Sequence, residues 1–235
     1  ARQGRERGKM ITKIKVGRLV LDYKLWPRHT TMDFKIIESM VHALEAGKEL
    51  PAAVANKSDL RVIDGFHRTE AWMKFGGAEL KVPVDLRTFR SEAEMFEEAM
   101  RLNSHHGRRL TLYDIARCVI QGKELGLPVE QTADALHLTP DRLISLTKPR
   151  MGTFHRKPVV LKRTLAHLAG ETLSEEQAAF NEVAGGMDQV YYLNQVVGLL
   201  ESGAIDMKRD SVVRALSRLS ALLDQVKDKL IVPVS

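Results

Sequence analysis

Along the first 90 residues the spacing of apolar positions changes period several times. Arg18–Tyr23 (Arg-Leu-Val-Leu-Asp-Tyr) reads as a short strand, broken at Trp26-Pro27-Arg28. Phe34, Ile37, Val41 and Leu44 then recur at helical spacing, with Thr31 or Asp33 as the cap and Gly47 as the stop. Pro51–Ala55 and Leu60–Ile63 are β-prone runs separated by Asn56-Lys57-Ser58-Asp59, the pattern of a hairpin. Gly65 opens a helix to Phe75, Gly76-Gly77 ends it, and Leu80–Leu86 is a further strand. After Ser91 the period is helical almost throughout. One helix is predicted over Glu92–Ser104 and another over Thr111–Glu124, where Thr111 and Asp114 are spaced as a capping box. Two short helices follow near 129–136 and 140–147, then a basic connector with Pro149, Gly152 and Pro158. Residues 159–230 predict three or four amphipathic helices broken at Gly170, Gly185-Gly186 and Gly203.

The chain is therefore expected to be α+β. Its parts would be a basic flexible arm (1–17), a small α/β domain (18–90), a helical region (91–150) and a helical C-terminal domain (151–235). A length of 235 residues suffices for two compact units. Apolar residues at 44% and charged residues at 28% exclude a disordered chain, a collagen-like one and a coiled-coil rod. No apolar run nears the roughly 18 residues of a membrane span, and no signal-peptide pattern opens the chain. Ala1 in place of a methionine reads as a trimmed N-terminus. The single cysteine, Cys118, excludes an intramolecular disulfide and a multi-cysteine zinc site, and its apolar neighbours read as those of an inert buried thiol. An intracellular protein is the expectation.

The net charge of +6 is informative once located. Residues 1–31 hold nine Lys/Arg against Glu6 and Asp22, and residues 142–170 hold seven with no acid at all. The remainder of the chain is acidic. A basic excess confined to two segments is the footprint expected of polyanion binding, against the plainer reading of a solvated tail and a solvated helix face.

The sharpest local feature is Val62-Ile63-Asp64-Gly65-Phe66-His67-Arg68-Thr69-Glu70. A strand delivers the chain to a glycine and a helix starts at once, which leaves first-turn N–H groups with partial positive charge at the turn. Gly65 permits close approach, and His67 and Arg68 add donors suited to phosphate. The alternative is a plain turn glycine with Arg68 paired to Asp64 or Glu70. Further on, Asn103-Ser104-His105-His106-Gly107-Arg108-Arg109 forms a cationic segment between two helices. It suits phosphate contact better than metal, because no His or Cys partner has ligand spacing. It also suits a helix end whose cations offset the dipole.

These two segments, with Leu25-Trp26-Pro27-Arg28, Leu50-Pro51 and the Leu110-Thr111/Asp114 step, resemble the ParB/sulfiredoxin superfamily over roughly residues 14–125. The resemblance implies a ParB-like N-terminal domain followed by a helix-turn-helix. It implies a nucleoside triphosphate, CTP favoured and with Mg2+, held at Gly65, Phe66, His67 and Arg68. Asn103 and the His105, His106, Gly107, Arg108, Arg109 segment would assist. It further implies double-stranded DNA as partner, homodimerisation, no membrane, and the cytoplasm of a bacterium or a plasmid- or phage-encoded origin. Two departures count. Phe66 stands where sulfiredoxins have their cysteine, so that reduction is not expected. Leu102 stands where CTP-binding ParB proteins carry an acid before the asparagine, which puts hydrolysis in doubt.

Residues 127–146 read as helix, tight turn, helix: Ala133 is small at the crossing, Thr139 caps the second helix and Pro140 opens it. In a DNA-binding version, Asp141, Arg142, Ser145 and Lys148 would face bases or phosphates, with Gln131, Thr132 and Arg150 beside them. Similar pairs also form plain bundles. Val190, Leu193, Val197, Leu200 and Val212, Leu216, Leu219, Leu222, Leu223 are helical stripes suited to a core or to self-association. The expectation is a ParB-like nucleotide-responsive DNA-binding protein, with weak NTPase activity left open. The alternatives are an enzyme on the same fold, a nuclease or phosphotransferase with Asp64 or Glu70 as base, and a DNA-binding scaffold with a vestigial pocket.

Overall fold

The computed structural model of the chain describes residues 11–29, 32–105, 110–185 and 187–227, with His105 described in its backbone alone. The described residues divide into two compact units, parted at 185/186. The boundary expected at 150/151 lies inside the first of them.

The first unit is built on a four-stranded sheet in the order β1-β4-β2-β3. β1 (Ile11–Lys15) runs antiparallel to β4 (Lys81–Arg87), β2 (Ala53–Asn56) runs parallel to β4, and β3 (Val62–Asp64) completes an antiparallel hairpin with β2. β2 has neighbours on both edges and is buried at every position, as a strand of Ala-Val-Ala-Asn can be only inside a sheet. The expected arm over 1–17 is thus corrected from Ile11 onward. Lys13 faces Pro83 in the ladder, and Val16 is wholly buried. The strand expected at 18–23 is corrected too: only Val20 makes a bridge, to Arg61, and Tyr23–Leu25 is a 3-10 turn. A six-residue alternation with Asp22 in it turned instead because Asp22 caps that turn, accepting from the Lys24 N–H at 3.0 Å. Arg61 ties the region together, pairing with Asp22 and Asp59 (3.2 and 2.8 Å) and with Glu92.

α1 (Phe34–Glu45) and α2 (Phe66–Gly76) pack against each other, and Asp33 is the α1 cap. α3 (Glu92–His105) turns Met95, Phe96, Ala99 and Met100 into the core, the stripe that carries it across β3. α4 (Leu112–Glu124) starts from the expected capping box. α5 (Val129–Ala135) packs on α3 and α4, and α6 (Pro140–Thr147) on α4. The α4–α5 contact depends on Gly122, where an added Cβ would lie 2.9 Å from Thr132 Oγ1.

Beyond α6 the expected connector and helix are replaced by a second small sheet. After a 3-10 turn at Lys148–Arg150, β5 (Met151–Phe154) and β6 (Lys157–Val160) form an antiparallel hairpin. Pro158, read as part of a connector, sits on a two-stranded ribbon where a missing N–H is tolerated. A 3-10 stretch (Arg163–Leu168) and α7 (Glu175–Val183) close the unit over Leu161, Leu165 and Leu173. The second unit holds α8 (Gln189–Glu201) and α9 (Asp210–Val226), neither with a buried residue. No helix among the described residues is long and apolar enough to cross a membrane.

Candidate functional site

β3 ends at Asp64, and Gly65 takes φ +103°, a left-handed conformation that residues with a Cβ rarely adopt. A Cβ there would also meet Arg68 Nη2 at 2.9 Å and Ala53 Cβ at 3.0 Å, so position 65 needs glycine for both reasons. No side chain caps α2. Its first turn lines a cavity of about 190 Å³ with Trp26 and Arg28 before α1, Ile36 and Met40 on α1, and Asn103 on α3. That volume suits phosphate groups rather than a whole nucleoside triphosphate, whose other parts must lie outside it.

The sequence-predicted residues Gly65, Phe66, His67, Arg68 and Asn103 thus meet at one place, though in unequal roles. The Phe66 ring is buried against Trp26 and Tyr23, with centroids 4.9 and 6.0 Å away, so position 66 offers the cavity backbone only. His67 Nε2 accepts a hydrogen bond from the Asp33 N–H at 3.1 Å, so in this arrangement that nitrogen is an acceptor rather than the donor expected. Its ring lies 5.4 Å from Trp26. Arg68 Nη2 donates to Asp64 Oδ2 at 2.8 Å, while its buried Nε has no hydrogen-bond partner among the described residues. A buried guanidinium N–H left so is an orphan that an anion satisfies. Asn103 donates to the Ala99 carbonyl and accepts from Arg28 Nη2 at 3.3 Å. The His105 side chain and His106, Gly107, Arg108 and Arg109 lie outside the described residues.

Sequence reasoning missed Arg28 as a site residue. It is 7% exposed and its Nη1 lies 3.8 Å from Asp114 Oδ2. Its signal was the Trp-Pro-Arg step, which counted as a strand breaker and as part of the family resemblance but not as a ligand contact. Asp114 does more than cap α4. Its Oδ1 accepts the His29 N–H at 2.7 Å and its Oδ2 the Thr111 N–H at 2.8 Å. His29 stacks near Tyr113, and burial, with Lys162 and Arg117 nearby, pushes its pKa down to about 4. Cys118 is wholly buried with Sγ 3.3 Å from the Pro27 carbonyl, and burial pushes the thiol well above its usual range. Among the described residues no group of three or more His, Cys, Asp or Glu is placed to hold a metal ion.

The second cluster is the α5–α6 pair. Gln131, Asp141, Arg142, Ser145 and Lys148 are exposed, and Thr139 caps α6 through the Arg142 N–H at 3.3 Å. Arg150 is half-buried, donating to the Leu146 carbonyl at 2.9 Å. Thr132 departs from expectation: it is 2% exposed at the α4–α5 crossing and donates to the Pro128 carbonyl, so it is not presented to a duplex. Ile144, half exposed, shares the outer face of α6.

No protein-family model matches the chain, and no curated protein matches it. Among solved structures, it is similar to C-terminally truncated chromosome-partitioning protein ParB from Caulobacter crescentus complexed to the centromeric parS site. That similarity has 12% identity and TM-score 0.42, over 59% of this chain and 71% of the other. The same protein complexed with CTP-gamma-S gives 14% and 0.36 over 60% and 78%. A pNOB8-like ParB N-domain gives 14% and 0.40 over 97% and 82%. These are distant similarities of chain trace, and the ligands named belong to those proteins.

Proposed function

We propose that this chain is a ParB-like, nucleotide-responsive DNA-binding protein that acts as a homodimer. The observation that carries the reading is the cavity at Gly65. An uncapped helix N-terminus, the orphaned Nε of Arg68, Arg28 and Asn103 converge on a space of phosphate size. Phosphates of a nucleoside triphosphate supply the acceptors these groups ask for. Asp64 is the carboxylate lining that cavity and is the residue suited to an accompanying Mg2+. The exposed face of α6 carries Arg142 and Ser145, and the acid-free stretch 142–170 that begins there supplies the cations for a duplex. The outward apolar stripes of α8 and α9 supply the dimer contact.

Calorimetric titration with CTP, ATP, GTP and UTP plus Mg2+, on the intact protein and on Arg68→Ala, tests the nucleotide half. The expected outcome is saturable binding of one triphosphate, lost in the variant. CTP heads the series because of the ligand held by one of the similar structures. Binding that survives Arg68→Ala, or none by the wild type, sinks this half and leaves a DNA-binding scaffold.

A further inference from the structure

We propose that the β5–β6 hairpin is a second DNA-contacting element, with its His155-Arg156-Lys157 tip against the phosphate backbone beside the groove taken by α6. The inference rests on the reading of α5–α6 as a duplex-binding pair. Phe154 pairs with Lys157, so the hairpin turns through two residues, His155 and Arg156. Their φ angles are +49° and +63°. A two-residue hairpin turn that matches the strand twist wants positive φ at both centres, and Asn-Gly meets that demand most easily. This chain instead puts two bulky side chains where any Cβ is disfavoured, the kind of local strain that collects at functional positions.

The side chains so displayed are of one chemical kind. Residues 155–157 are exposed, and Arg156 and Lys157 have no ion-pair partner among the described residues. Glu175 at the start of α7 places its Oε1 2.7 Å from His155 Nε2 and so orients the histidine beside the two cations.

The mount is firm. β5 follows α6 after three residues, and Arg150 of that link is fastened to the Leu146 carbonyl of α6. Backbone bonds from Gly170 to Met151 (2.9 Å), Thr153 to Glu171 (2.9 Å) and Leu173 to Thr153 (2.8 Å) brace the strand, and β6 packs on α4, the helix that also carries α6. Residues 155–157 lie beyond the last of these braces, at Thr153, and are exposed. The hairpin therefore has the charge and the stiffness to bind a backbone rather than trail behind the helix.

The test is the double variant His155→Asn/Arg156→Gly in the full chain, with Arg156→Lys and Arg142→Ala beside it. Binding to random-sequence duplex DNA is measured by fluorescence anisotropy across a salt series, with melting temperature in parallel. The double variant is expected to melt higher, because the turn is relieved, yet to bind about tenfold more weakly at fixed salt. Its slope of log affinity against log salt should fall by about 1. Arg156→Lys should keep that slope. Unchanged affinity and slope in the double variant, while Arg142→Ala weakens binding, overturns the inference. So does weaker binding with a lower melting temperature, which would make the tip a packing element. If Arg142→Ala also leaves binding untouched, the α5–α6 reading falls, and this one with it.

Discussion

At the scale of single residues, two side chains define the cavity's chemistry by what already holds them. Arg68 reaches Asp64 at 2.8 Å, so a phosphate seated on the α2 N-terminus competes with a carboxylate for the same guanidinium. Asp64→Asn is therefore expected to tighten Mg2+-free triphosphate binding, by up to about tenfold in calorimetry. Weaker binding would instead make Asp64 a ligand-side group, as the enzyme alternative requires. His29 carries a pH dependence. With its folded pKa pushed down to about 4, the unfolded chain takes up a proton below pH 6.5 that the folded chain refuses until pH 4. Stability then falls as pH drops through that window, by no more than about 1.4 kcal/mol per unit. Thermal unfolding at several pH values should show the slope flattened in His29→Gln, and an unchanged slope would assign it to other groups.

Among elements, the close crossing of α4 and α5 rests on Gly122 and Thr132. Gly122→Ala should cost about 1–2 kcal/mol, because the new Cβ meets Thr132 Oγ1 at 2.9 Å. Thr132→Ala in the same chain should return part of that loss, and a double-mutant cycle with purely additive effects would show that the contact yields cheaply. Most elements were legible because their signals are local. Thr111 and Asp114 cap, Gly65 turns, and Met95, Phe96, Ala99 and Met100 share a face. What was not legible depended on distant partners. Ile11–Lys15 is polar enough to pass for an arm and becomes a strand only because β4 offers it a ladder. The β5–β6 hairpin was hidden for a related reason, since His155-Arg156 lacks the glycine that marks such a turn. The site divides in the same way. The Gly65 turn announces itself in sequence, whereas Arg28 joins it from 37 positions away through Asn103 and Asp114.

For the whole molecule, α8 and α9 leave Val190, Leu193, Leu199, Leu222 and Leu223 between 46% and 63% exposed. On α9, Val212, Leu216, Leu219, Leu223 and Val226 follow 4-3-4-3 spacing, the seam of a helical bundle. A two-helix unit without a buried residue among those described gains its core most simply from a second copy. Leu222→Glu/Leu223→Glu is expected to halve the mass seen in sedimentation velocity while leaving the melting of the first unit in place; a monomeric wild type would remove the homodimer from the proposal. Asp114 joins two parts of the first unit. One of its oxygens holds the backbone of His29, next to Arg28, and the other holds the first turn of α4, on which α5 and α6 ride. A carboxylate with a hand on each side works like a rivet through two plates. Any guest that draws Arg28 toward it drags on the platform of the helix pair as well, and Asp114→Asn loosens that joint without touching either surface.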